Sequence, residues 1–319
     1  MFSLKKVAPL RILITGCAGY IGSVLCPHLL SLGHSVVALD SFAHGVPSLA
    51  ACCARERFDL VRGDARDSRT LAPLLREADV LIPLAAIVGA PACDADQHAA
   101  ESVNVDAIAT ALRLMTGSQA VIAPISNSGY GVGEKNTECT EDTPMRPISL
   151  YGRTKVQAER LILGRGNAIS LRLATVFGMS PRLRLDLLVN DFVWRAATDG
   201  AIVLFEGHFR RNYVHVRDVS RAFSHSIDHL SQMVDKSFNV GLSDANLTKR
   251  QLCERIAKHV PGLQILEAPL GVDPDRRDYV VSNRRIEATG FRCHHSLDDG
   301  IAELLKGYRM LRRTQHGNA

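Results

Sequence analysis

No apolar run in this sequence is long enough to span a membrane, which sets aside a transmembrane protein. Its eight cysteines (Cys17, Cys26, Cys52, Cys53, Cys93, Cys139, Cys253, Cys293) include no C-x-x-C pair and no zinc-like spacing. Adjacent Cys52 and Cys53 could close only a strained ring, so all eight are expected as reduced thiols of a cytoplasmic protein. His225 and His229 stand at helical spacing, but no third ligand accompanies them, and packing rather than metal binding is expected there. No metal site is therefore read from the chain. Aromatic residues make up only 5% and tryptophan occurs once. No basic stripe interleaved with aromatics exists, which argues against nucleic-acid binding. Internal repeats and low-complexity linkers are absent. The opening Met1–Pro9 carries two lysines and no apolar core, and is expected to be a short tail rather than a secretory signal.

What remains is ordinary soluble composition: 319 residues, 46% hydrophobic and 22% charged. That length buries a large core, as one large or two intimate domains. A net charge of +5, spread along the chain, suits a phosphorylated small molecule. The most informative stretch is Leu10-Arg-Ile-Leu-Ile-Thr-Gly-Cys-Ala-Gly-Tyr-Ile-Gly22. Ile12, Leu13 and Ile14 read as a buried parallel strand, Gly16, Gly19 and Gly22 as a tight turn, and Tyr20, Ile21, Val24, Leu25 and Leu29 as the start of a helix. Strand, glycine turn and helix form a cradle for a dinucleotide. The backbone approaches the pyrophosphate closely, and the helix N-terminus presents unpaired N–H groups and a positive dipole end.

Ser35–Asp40 reads as a second strand ending on an acid, about 20 residues beyond the glycine loop. A carboxylate there accepts from the adenosine ribose hydroxyls and repels a 2′-phosphate, so Asp40 predicts NAD over NADP. Further strands follow at Phe58–Asp64, Val80–Ala86, Ala120–Pro124 and Ile169–Leu173. Helical stretches intervene, one from about Gln97 to Met115. This cadence predicts an α/β fold, a Rossmann-type doubly wound parallel sheet. Tyr151-Gly-Arg-Thr-Lys155 opens a helix beyond the fifth strand. Its i, i+4 spacing places phenol and ammonium on one face, where the cation is expected to lower the tyrosine pKa.

Thr15-Gly-Cys-Ala-Gly-Tyr-Ile-Gly22, the Ser126-Asn-Ser-Gly-Tyr-Gly131 segment, Tyr151-x-x-x-Lys155, Arg172-Leu-Ala-Thr-Val-Phe-Gly178 and Arg211-Asn-Tyr-Val-His-Val resemble the extended short-chain dehydrogenase/reductase family. These are the nucleotide-sugar epimerases, dehydratases and reductases. The resemblance runs from Arg11 to about Tyr308. It implies a NAD-binding Rossmann domain over 1–174 and a smaller C-terminal α/β substrate-binding region over 175–319, with about 213–242 returning to the main sheet. Helices are expected over Val219–Leu230, Ser243–His259 and Leu297–Leu311.

By the same resemblance, Ser126, Tyr151 and Lys155 are catalytic. Gly16, Gly19, Tyr20, Ile21, Gly22, Asp40, Asp64, Ala65, Leu84, Ala85 and Ala86 hold the cofactor, together with Tyr151 and Lys155. Ser126, Asn127, Ser128, Thr175, Asn190, Arg211 and Arg277 face a nucleotide-diphosphate sugar. The arginine segment Arg276-Arg277-Asp278-Tyr279 closes on the diphosphate, since a planar guanidinium holds phosphate with paired hydrogen bonds. Leu84 stands where the family often has histidine. Family dehydratases carry an Asp-Glu pair where this chain has Asn127-Ser128, and neither replacement supplies their acid–base chemistry, so elimination of water is disfavoured.

The resemblance thus implies NAD-dependent oxidation of the sugar at C4, as in a 4-epimerase. A nucleotide-heptose 4-dehydrogenase or 4-keto reductase stays open, as do the nucleotide base and the choice of hexose or heptose. A non-catalytic NAD(P)-binding sensor is disfavoured by the intact proton-transfer set. A homodimer is expected from the family.

Overall fold

The computed structural model describes residues 8–134, 137–268 and 277–311; most of the expected N-terminal tail and Arg276 lie outside the described residues. The first half runs β1 (Arg11–Thr15), α1 (Gly22–Ser31), β2 (Ser35–Asp40), β3 (Phe58–Arg62), α2 (Ser68–Glu77), β4 (Val80–Pro83), α3 (Ala90–Ala95), α4 (Gln97–Glu101), α5 (Ala107–Leu114) and β5 (Ala120–Ser126). It continues with β6 (Glu138–Cys139), α6 (Leu150–Arg165), β7 (Ala168–Leu173), β8 (Thr175–Phe177), α7 (Leu188–Thr198), β9 (Ala201–Leu204), β10 (Arg210–His215), α8 (Val216–Asp228), α9 (Leu230–Met233) and β11 (Lys236–Val240). The last elements are β12 (Asn246–Thr248), α10 (Lys249–Ala257), β13 (Gln264–Glu267), β14 (Val280–Val281), α11 (Arg284–Ala288) and α12 (Leu297–Tyr308).

Seven strands form one parallel sheet in the order β11-β7-β5-β4-β1-β2-β3. Ile12, Leu13 and Ile14 are wholly buried, as an apolar strand covered on both faces requires. Alternation then sorts them. Ile12 and Ile14 enter the layer with Leu25 and Leu29 of α1 and Val219 and Phe223 of α8. Leu13 enters the opposite layer with Leu71 and Leu75 of α2, Ile108 of α5 and Ile162 of α6. Burying one such side chain contributes about 1.5–3 kcal/mol. A separate core gathers Val189, Phe192 and Val193 of α7, Leu252 and Ile256 of α10, and Ile301 and Leu304 of α12.

Two expected elements come out differently, and one further strand appears. The helix read over 97–115 is interrupted by a wider π turn at Ser102–Asp106, where buried Asn104 turns inward. Its amide bonds both backbone groups of Ile87 and reaches Thr154 Oγ1 at 3.1 Å, outcompeting regular helix geometry. The helix read from Ser243 begins only at Lys249, because 246–248 pairs antiparallel with 210–212. Thr248 then caps it reciprocally with Gln251. The chain just beyond β7 forms a further strand: β8 pairs with β10 in a second sheet, β12-β10-β8.

The order of the large sheet reverses between β1 and β4, where helices cross to opposite faces. A crevice therefore opens beyond the carboxyl ends of these strands. Among the described residues no helix is long and apolar enough to cross a membrane. All eight cysteines are free.

Candidate active site

A cleft of about 1040 Å³ occupies that crevice. Gly16 ends β1 with φ +69°, and a Cβ on it would fall 2.4 Å from the Ala85 nitrogen. The turn can therefore lie flush against Leu84–Ala86 only as glycine. Gly22 opens α1 so close to Cys17 that a Cβ would meet its carbonyl at 2.3 Å. Gly19, Tyr20 and Ile21 complete this wall. Asp40 stands opposite, its Oδ2 accepting from Ala18 N (2.9 Å) and its Oδ1 from Phe42 N (2.8 Å). Asp64 and Ala65 line the far end. The Asp64 carboxylate accepts from Arg66 Nε at 3.0 Å, and that pairing holds it below the usual carboxylate range. A narrow glycine turn, a helix N-terminus and a fixed carboxylate are the donor and acceptor set a dinucleotide fits.

Ser126 is the last residue of β5 and Tyr151 sits in the first turn of α6, which Ser149 caps by accepting from Gly152 N at 3.1 Å. The Ser126 hydroxyl accepts from Ser128 N at 3.1 Å, and Ser126 and Tyr151 line the cleft together. One turn along α6, Lys155 faces the same cleft and is 8% exposed. Its environment departs from the sequence expectation. Burial raises the Tyr151 pKa above that of an ordinary phenol, while Arg277, Arg184 and Ser126 pull it down. Lys155 is itself lowered by burial to about 8, against the attraction of Glu159. Desolvation is the largest influence on both groups. Glu159 is engaged elsewhere, paired with Arg172 at 2.9 Å.

On the other side lie Thr175, Arg211 and Arg277. Arg211 is 2% exposed, with its guanidinium 5.9 Å from the centre of the Tyr279 ring. Three residues singled out from the sequence do not line the cleft. Asn190 faces inward from α7, its Oδ1 accepting from Gly178 N (3.0 Å) and its Nδ2 donating to the Arg184 carbonyl (2.9 Å). Its role is to shape the 178–187 segment, and it is not free to contact a sugar. Asn127 and Ser128 are each 1% exposed, because the short turn after β5 rotates them away from the cleft. Their side-chain polar atoms find no partner among the described residues. Sequence reasoning missed Arg182, Arg184 and Asp186, which do line the cleft. Arg184 Nε reaches Asp186 Oδ1 at 3.1 Å. The signal available was Arg182-Leu-Arg184-Leu-Asp186, charged residues alternating with leucines in the loop between β8 and α7.

His225 and His229 stack at 4.0 Å, and His225 meets Thr289 Oγ1 at 2.7 Å. Among the described residues no group of three or more His, Cys, Asp or Glu side chains is arranged to hold a metal ion.

Residues 12–241 match the model of the NAD-dependent epimerase/dehydratase family. A UDP-glucose 4-epimerase from Mycolicibacterium smegmatis is 29% identical over 314 residues, covering 94% of this chain and 99% of that protein. DesIV, a dTDP-glucose 4,6-dehydratase from Streptomyces venezuelae solved with NAD, superposes with a TM-score of 0.82 at 25% identity, covering 94% of this chain and 97% of its own. MoeE5 in complex with UDP-glucose and NAD gives 0.77 at 27% identity, covering 94% and 98%.

Proposed function

The chain belongs to the NAD-dependent epimerase/dehydratase family, with NAD as its cofactor, and from that premise we propose that it is a nucleotide-sugar 4-epimerase. One observation carries the reading: Ser126, Tyr151 and Lys155 meet at the cleft, while no carboxylate occupies position 127 or 128. The Tyr151 oxygen takes the proton of the sugar 4-hydroxyl. Ser126 hydrogen-bonds the reacting oxygen and keeps it in line with the phenol. Lys155, one turn below, favours the phenolate and holds the nicotinamide ribose. NAD, when bound, would supply reversible hydride chemistry at C4. Arg211 and Arg277 bind the diphosphate, leaving the sugar free to present its other face before reduction. Tyr151 then returns the proton.

Asn127 has no ionisable side chain and Ser128 is a weak acid. Neither supports the proton transfers that eliminate water, which separates this reading from a 4,6-dehydratase. The reading includes a homodimer built on α5 and α6, whose outer faces expose Leu114 and Leu161. Sedimentation velocity tests it.

The test of activity is incubation with UDP-glucose, UDP-galactose and the corresponding GDP- and dTDP-sugars, followed by proton NMR and absorbance at the NADH band. The reading requires a C4 epimer of unchanged mass without accumulating NADH. Stoichiometric NADH with a 4-keto product would establish the net dehydrogenase instead.

A further inference from the structure

Arg182 is a cleft cation for which the roles above leave no task. It ends a segment fastened to the cofactor loop by a chain of hydrogen bonds. Tyr20 OH donates to the Gly178 carbonyl (2.7 Å), and Ser180 Oγ donates to the Tyr20 carbonyl (2.7 Å). Ser180 Oγ also meets Ser23 Oγ at 2.8 Å, and Arg182 N donates to Ser23 Oγ at 3.4 Å. Ser23 is the second residue of α1, so the Arg182 backbone lies one side chain away from the glycine turn that lines the cleft.

The Arg182 side chain is half-buried and poorly compensated. Nη1 donates to the neighbouring Leu183 carbonyl (2.6 Å), whereas Nε is buried with no partner among the described residues. No carboxylate forms an ion pair with it there, in contrast to Arg184 and its Asp186. Across the cleft, His44 after β2 feels the Arg182 charge, which helps burial push its pKa down. A partly desolvated guanidinium with an unmade hydrogen bond is unfavourable until an anion pairs with it.

We propose that Arg182 binds the pyrophosphate of NAD, holding it from the 178–184 segment while the glycine loop and α1 hold it from below, and so governs how firmly the cofactor is retained. The inference rests on NAD as the cofactor and is independent of which sugar reaction follows. The same phosphate chemistry is offered by a nucleotide sugar, so the two sources must be separated by experiment.

Arg182→Met and Arg182→Lys are compared with the wild type by calorimetric titration with NAD, adenosine and UDP, and by the NAD retained through purification. Arg182→Met should weaken NAD about ten- to a hundredfold, the range of a charge-assisted hydrogen bond. Arg182→Lys should recover much of this loss, and adenosine and UDP should bind as to the wild type. Wild-type NAD affinity in Arg182→Met overturns the proposal, as does a loss confined to UDP. Equal weakening of adenosine and NAD overturns it as well, marking a distorted cradle. Circular dichroism and melting of both variants check that each is folded. Failure of the wild type to bind NAD would overturn the cofactor premise too, whereas NAD binding without C4 epimerisation would overturn only the proposed reaction.

Discussion

Replacing Lys155 with methionine should make the NAD-free protein more stable while abolishing turnover. Lys155 is 8% exposed, and burial lowers its pKa from the ordinary 10.5 to about 8. The unfolded chain therefore holds this proton more tightly than the folded one. Below pH 8 both states carry the charge, and the folded state bears the full desolvation cost. As pH rises from 8 to 10.5 the folded state sheds the proton first, so the cost shrinks, and above 10.5 it is gone. At about 1.4 kcal/mol per pH unit the full cost is about 3 kcal/mol. Methionine preserves length and apolar stem without the charge. Urea unfolding at a series of pH values should show Lys155→Met ahead by about 2–3 kcal/mol at pH 7, with an unchanged m-value, and the two proteins converging near pH 10.5. Equal or lower stability at pH 7, or a difference that ignores pH, would refute the reasoning.

Tyr151→Phe keeps the ring but removes the proposed proton acceptor, so turnover should fall about 10²–10⁴-fold with NAD affinity preserved in a fluorescence titration. Arg211→Ala and Arg277→Ala should each raise the dissociation constant for a nucleoside diphosphate about ten- to a hundredfold, read by calorimetry. NAD binding should hold in both. Asp40→Asn removes the negative charge proposed to face the adenosine ribose, and competitive titration should show a narrowed preference for NAD over NADP. An unchanged preference would mean that the charge at Asp40 does not discriminate.

The fold was legible because its information is local and periodic. Ile12, Leu13 and Ile14 announce a strand covered on both faces, and Gly16 occupies a backbone position that rejects any Cβ. The family is visible for the same reason, since its motifs sit on consecutive strand ends. Less legible was everything set by how segments distant in sequence meet. Helical register does not reveal that Asn190 turns toward Gly178 and Arg184 rather than toward a ligand. Spacing alone put phenol and ammonium on one face of α6 but carried no information on burial, which reverses the expected direction at Tyr151. Asn104 shows the same gap: its contacts with Ile87 and Thr154 decide the helix geometry, and neither partner is a helical neighbour.

The position of β11 at the edge of the large sheet has a consequence for synthesis on the ribosome. Strand β7 is complete at Leu173 and every one of its residues is buried, yet the neighbour that covers its outer edge is Lys236–Val240. Roughly sixty residues separate the two, on the order of 3–12 seconds at about 5–20 residues per second. During that interval a strand buried in the finished fold waits with unpaired backbone groups for its partner, a standing invitation to pair with another nascent chain. Chains truncated between 174 and 235 should accordingly aggregate, and a synonymous slow-codon cluster placed in that interval should lower soluble yield without altering the mature protein.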